Sequence, residues 1–124
     1  MSAGKTDLTA EQGASFYKKL TILDSVAVPI DITTDIFRGK VKKYLSDVDP
    51  VVEFTFTILD QITNTGEVEM TIDAADMAAI VLQKQVSQNR KSENFVYDVE
   101  RELLSGEVQR IIEGKFKISP EVTT

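Results

Sequence analysis

The feature that most constrains this chain is a period-two alternation of apolar and polar residues that recurs along most of its length. It is clearest near the C-terminus. Phe95, Tyr97 and Val99 share one parity, against Val96, Asp98 and Glu100. Beyond Ser105-Gly106, Val108, Ile112, Phe116 and Ile118 take one face and Gln109, Glu113, Lys115 and Lys117 the other. Successive side chains of a strand point to opposite faces, so this pattern predicts strands half in a core and half in water. Residues 95–104 and 107–118 therefore read as a hairpin turning at Ser105-Gly106, where glycine accepts the positive φ of a tight turn. Gly114 falls on the inward parity, where only a small residue fits. Pro120 ends the ladder by removing a backbone donor.

The same period appears upstream. Phe16, Leu20 and Ile22 oppose Tyr17, Lys19 and Thr21, and Lys18 interrupts the apolar face as it would in an edge strand. Residues 36–44 place Phe37, Gly39 and Val41 inward and Arg38, Lys40 and Lys42 outward; the inward Gly39 predicts a bulge or a close approach by a neighbour. Residues 51–59 set Val52, Phe54, Phe56 and Ile58 against Glu53, Thr55 and Thr57. Residues 67–72 set Val68, Met70 and Ile72 against Glu67, Glu69 and Thr71. Turn-forming residues separate these runs at Asp24-Ser25, at 46–50 and at 60–66. Val28-Pro29-Ile30-Asp31 reads as extended, because the residue before proline is pushed out of the α region. One segment has a helical character: Asp73 is a good N-cap, Asp76 adds a carboxylate to the first turn, and Ala74, Met77, Ala78 and Val81 lie on one face. The hydrophilic stretch 88–94 reads as a loop.

Six strands, one helix over about 74–86 and no βαβ rhythm predict a mainly β fold, an antiparallel Ig-like β-sandwich with one short helix. A chain of 124 residues suits one domain. We assign 13–120 to it, with 1–12 as a flexible N-terminal arm, since those residues offer little to bury, and 121–124 as a C-terminal tail. No apolar run approaches the roughly 18 residues of a membrane span. The first residues lack the apolar stretch of a signal peptide, which predicts synthesis and use in the cytoplasm or in a particle assembled there.

Cysteine and histidine are both absent. The chain therefore has no disulfide, thiolate or imidazole metal ligand, cysteine nucleophile or histidine base, and it reads as no enzyme, with no cofactor and no metal. A net charge of −6 argues against nucleic acid as a partner, because phosphate neutralisation dominates such binding. Asp73 with Asp76 suits a helix start better than a metal site. Asp47 and Asp49 before Pro50 form a turn without calcium-loop spacing. Gly4-Lys5-Thr6 lacks the earlier glycine of a phosphate loop. The remaining candidates are partner-binding residues: the cations Arg38, Lys40, Lys42 and Lys43, the acids Glu67 and Glu69 that complement them, and Met77 and Ile80 on the helix. For Met77 and Ile80 the core is the stronger alternative.

Several fragments resemble a group of small virion proteins. Glu11-Gln12-Gly13-Ala14-Ser15-Phe16 followed by Leu20-Thr21-Ile22 is similar to their opening strand. Pro29-Ile30-Asp31-Ile32-Thr33 with Phe37-Arg38-Gly39-Lys40-Val41-Lys42-Lys43 is similar to a second segment. Tyr97-Asp98-Val99-Glu100, Arg110-Ile111-Ile112-Glu113-Gly114 and Ser119-Pro120-Glu121-Val122-Thr123 are similar to their close. The chain departs from them at Thr33-Thr34-Asp35, where they usually carry a glycine, and in a longer stretch over 74–94.

The resemblance is to small Ig-like virion structural proteins of tailed phages, similar to the N-terminal domain of baseplate adaptor (upper baseplate) proteins. It implies a non-catalytic tail or baseplate component, assembled in the host cytoplasm, that binds other virion proteins and copies of itself. The alternatives are a capsid decoration or cement protein and a module that binds the host surface.

Overall fold

The computed structural model describes residues 4–80 and 92–120. In chain order the elements are β1 (Gly4–Lys5), β2 (Leu8–Glu11), β3 (Phe16–Thr21), β4 (Ile36–Lys42), β5 (Val52–Glu53), β6 (Thr55–Ile58), β7 (Glu67–Ile72), α1 (Ala74–Ala78), β8 (Glu93–Glu102) and β9 (Val108–Ser119). One sheet runs β1-β9-β8-β4-β5, with β2 also on β9, and the other runs β3-β7-β6. We call them the large and the small sheet. Two sheets closing over one core, with this strand order, make an immunoglobulin-type β-sandwich.

The expected alternation is present where it matters. β4 buries Phe37, Gly39 and Val41, β7 buries Val68, Met70 and Ile72, and β8 buries Phe95, Tyr97 and Val99. At the centre Phe16, Phe54, Tyr97 and Phe116 form a ring cluster; Phe116 lies 5.1 Å from Phe16, 5.7 Å from Phe54 and 6.3 Å from Tyr97. A second apolar group, Ile22, Ile32, Phe37 and Val68, fills the end below the 22–35 and 59–66 loops. At Gly39 a side chain would meet the Phe54 ring at 2.8 Å, which is the close approach expected there. β3 is an edge strand, as Lys18 suggested.

Five expectations change. First, residues 51–59 are not one strand. β5 pairs with β4 in the large sheet, and after Phe54, whose N–H donates to the Gly39 carbonyl (3.0 Å), the chain crosses to the small sheet as β6. Alternation survives such a crossing, so periodicity could not reveal it. Second, the β8–β9 pair carries a bulge: Val99 pairs with Ile112 but Glu100 with Arg110, leaving Ile111 as an extra residue. Parity flips there, so Val108, expected inward, is 47% exposed while Ile111 packs on the core. Third, the hairpin loop is longer than two residues. Gly106, at φ 93°, donates to the Leu103 carbonyl and Leu103 to that of Glu107. Fourth, α1 ends with Ala79 as its C-cap, short of residue 86, and Asp73 at its N-cap makes no side-chain capping bond. The remainder of the expected helix, including Val81, and residues 88–91 of the expected loop lie outside the described residues, as do residues 1–3 and the tail at 121–124; Glu93 and Asn94 already belong to β8.

The fifth correction is the N-terminal arm. Residues expected to hang free form β1 and β2, which add to β9 in parallel: Gly4 sits opposite Ile112 and Leu8 opposite Phe116. The sandwich is therefore antiparallel except along this edge. Backbone groups make the attachment, so the polar composition of the segment does not oppose it, and Leu8 drops into the core with Ala10 packed partly against it. Gly114 forms a notch for the crossing between the two strands. A Cβ at 114 would stand 2.9 Å from the Thr6 carbonyl carbon and closer still to its oxygen. Asp7 accepts the Lys115 N–H beside it at 3.1 Å. Gly114→Ala is expected to cost about 1–3 kcal/mol by this overpacking. In hydrogen exchange it should deprotect residues 4–11 first; unchanged protection there would show that the strap does not need the notch.

Candidate interaction site

β4 projects Arg38 and Lys40 from the outer face of the large sheet, as its alternation requires, with Lys42 beside them at the strand end. They do not form a free basic patch. Their neighbour β8 presents Asp98, Glu100 and Glu102 on the same face, in register with Lys40, Arg38 and Ile36. Arg38 reaches Glu102 at 2.9 Å and Glu100 at 3.5 Å, and Arg110 on β9 reaches Asp98 at 3.4 Å. The hydrogen bond to Glu102 raises the Arg38 pKa further above its ordinary value. Lys40 also sits opposite Glu53 on β5. The face is thus a lattice of alternating charge, and solvent screening leaves exposed pairs of this kind a small part in stability.

Lys43, grouped with these cations by sequence, is differently placed. Its Nζ lies 2.6 Å from Glu93, a side chain only 1% exposed, and 4.8 Å from the centroid of the Phe95 ring. It neutralises a buried carboxylate from β8 and is not offered to a partner. Glu67 and Glu69 lie on the outer face of the small sheet, where Lys19 meets Glu67 at 2.9 Å and the Tyr17 hydroxyl donates to Glu69 at 2.6 Å. That bond raises the Tyr17 pKa, and the Glu67 partner raises that of Lys19. The cationic and acidic stripes face opposite ways, so any pairing between them joins different molecules. Met77 and Ile80 are both buried in the main core and are not a docking surface; the Gln12 side chain donates to the Ile80 carbonyl and ties this end of the sandwich to the β2–β3 corner.

Sequence reasoning missed the residues that end the inner stripe of β8. That stripe reads Glu93, Phe95, Tyr97, Val99, Arg101, apolar in the middle and charged at both ends. Lys43, just after β4, meets Glu93, and Asp35, just before β4, meets Arg101 through Nε at 2.5 Å. Parity alone held the signal, since 93 and 101 share the register of 95, 97 and 99.

Tyr97 contributes a third polar contact from this stripe, a partly buried one, its hydroxyl donating to the Thr6 carbonyl at 2.5 Å. Burial first, then the Asp7 carboxylate nearby, raises its pKa to about 12. The unfolded chain would ionise near 10. A raised folded pKa means that the contribution is fully present below pH 10 and is lost as pH rises toward 12. Wild-type stability should therefore fall across that window in denaturant titrations, and Tyr97→Phe should flatten the decline. Parallel profiles for the two proteins would remove Tyr97 as the cause.

The loops at the β4 start carry exposed aliphatics at their tips: Val26 at 73%, Ile62 at 92% and Leu104 at 80% exposure. Asp31 in the same region accepts bonds from the Thr33 hydroxyl and N–H, which lower its pKa. Among the described residues no group of three or more Asp, Glu, His or Cys side chains is placed to hold a metal ion. No helix among them is long and apolar enough to cross a membrane. No protein-family model matches the chain, and no curated protein matches its sequence significantly.

Proposed function

We propose that the chain is a non-catalytic structural protein of a tailed-phage virion, a tail or baseplate component that binds neighbouring subunits during assembly in the host cytoplasm. The observation that carries this reading is where the phage-like fragments fall in the fold. Residues 11–16 make the β2–β3 corner, 37–43 cover most of β4, 97–100 lie in β8 and 110–114 in β9. Stretches far apart in sequence thus become neighbouring strands of the large sheet and its corner, as a shared fold requires. A fold supplies surfaces and leaves the task to them. Here those surfaces are strand edges, two charged faces and a loop end, which are what an assembly subunit uses to meet its neighbours.

Mass spectrometry of purified particles produced by the genome that encodes the chain tests the reading. The polypeptide is expected in the particles at a few to dozens of copies. Hundreds of copies would favour the capsid decoration reading, and its absence from particles would end both.

A further inference from the structure

Among the described residues the sandwich leaves strand edges open, and their chemistry differs. In the small sheet β7 is central, with β3 on one side and β6 on the other. β3 carries Lys18 and Lys19 at its middle, so two copies meeting along it would oppose lysines, a known guard against edge pairing. In the large sheet β5 is two residues long and includes Glu53, and the opposite edge is broken between β1 and β2. β6, Thr55-Phe56-Thr57-Ile58, has no charge, no proline and no glycine, and consists of β-branched and aromatic residues. Among the described residues it is the edge without a guard.

Its hydrogen-bonding register can be assigned. Leu59 donates to the Glu67 carbonyl at 3.1 Å, and Thr57 and Thr55 stand opposite Glu69 and Thr71 in the same ladder. In an antiparallel ladder alternate residues bond the same neighbour. The N–H and C=O groups of Phe56 and Ile58 therefore point away from β7. An open hollow of about 500 Å³, lined by residues that include Asp31, Ile58, Leu59 and Ile62, lies beside the C-terminal end of the strand.

We propose that β6 pairs antiparallel with β6 of a second copy of this chain about a two-fold axis at Thr57, joining two small sheets into one six-stranded sheet. In this register Phe56 bonds Ile58 of the second copy, and Ile58 its Phe56, with two hydrogen bonds in each pair. Thr57 faces Thr57 in a non-hydrogen-bonded pair, with Cα atoms about 4.5 Å apart. Thr55 faces Leu59 on the same outer side. Two partly buried apolar residues, Phe56 and Ile58, meet their counterparts on the inner side. No like charges oppose within the paired stretch, and threonine pairs across strands are favourable. The pairing stops at Thr55, because Phe54 turns into the large sheet. This interface stands on the edge itself and not on the virion reading: particles could lack the chain while purified protein still dimerises.

The experiment compares the full chain with Thr57→Lys, Thr57→Cys and, as controls on the β3 edge, Thr21→Lys and Thr21→Cys. Thr57 is exposed and opposite Glu69 in its own sheet, so Thr57→Lys keeps the fold and places two cations at the axis. By sedimentation equilibrium the wild type and Thr21→Lys are expected to dimerise, and Thr57→Lys to raise the dissociation constant about tenfold or more, with unchanged circular dichroism. The chain contains no cysteine, so mild oxidation of Thr57→Cys should give one intermolecular disulfide, well ahead of Thr21→Cys. A wild type that stays monomeric overturns the proposal. So does a dimer indifferent to Thr57→Lys, which would place the contact elsewhere, or equal cross-linking at 57 and 21.

Discussion

Phe116→Ala is expected to lower the free energy of unfolding by about 3–5 kcal/mol, the range for removing a fully buried aromatic ring. The site has little means of closing over the gap. Phe116 has no exposure, and the three rings around it come from separate elements: Phe16 from the small sheet, Tyr97 from β8 and Phe54 from the crossing between sheets. Each of those rings is anchored elsewhere, Tyr97 by its bond to Thr6, Phe54 by its backbone bond to Gly39 and Phe16 by its place opposite Ile72 in the β3–β7 ladder, so none can slide inward without disturbing a second contact. Leu8, the apolar anchor of the N-terminal strap, is paired with Phe116 across β9. The loss should therefore also appear as early exchange of residues 4–11. Denaturant unfolding with a midpoint shift equivalent to less than 1 kcal/mol would mean that the cluster repacks freely, and the account of this core would fail.

Much of the sandwich was legible because its signal is local. Each of β3, β4, β7 and β8 carries an alternation that any sheet must honour, whatever its partner, and the corresponding residues are buried as their parity demanded. The misses have a common physical origin in pairing. β1 and β2 are held by backbone bonds to β9, which no side-chain pattern announces. The passage of one alternating run from sheet to sheet at Phe54 preserves period two. The Ile111 bulge breaks it by one residue, too little to see among the mixed positions of β9. The candidate site suffered in the same way. Arg38 and Lys40 were correctly placed outward, but their neutralisation by Asp98, Glu100 and Glu102 depends on which strand lies beside β4. Lys43 follows the same cationic run and yet serves a buried carboxylate fifty residues away in sequence.

Those buried charges carry the second large effect. Arg101→Met is expected to destabilise the protein by about 3–5 kcal/mol, since it leaves the carboxylate of Asp35 buried without its counter-charge. Asp35 and Arg101 are 8% and 9% exposed, so water cannot readily replace the guanidinium. Most of that cost belongs to the stranded charge and not to the pair. Asp35→Leu combined with Arg101→Met should therefore recover most of the loss, because exchanging a whole buried pair for apolar side chains is often neutral. A double-mutant cycle reads the difference as a coupling energy. What the pair does contribute is register. β4 and β8 are antiparallel, with Asp35 before β4 meeting Arg101 near the end of β8, and Lys43 after β4 meeting Glu93 at its start. A slip of two residues keeps every apolar side chain facing inward, so hydrophobicity alone does not forbid it. The same slip would part both ion pairs at once. The doubly substituted protein is thus expected to keep its stability while showing extra, slowly exchanging amide signals along β4 and β8. A single set of signals in that variant would leave the Asp35–Arg101 pair with no role beyond its own neutralisation and the register to packing and the remaining Lys43–Glu93 pair.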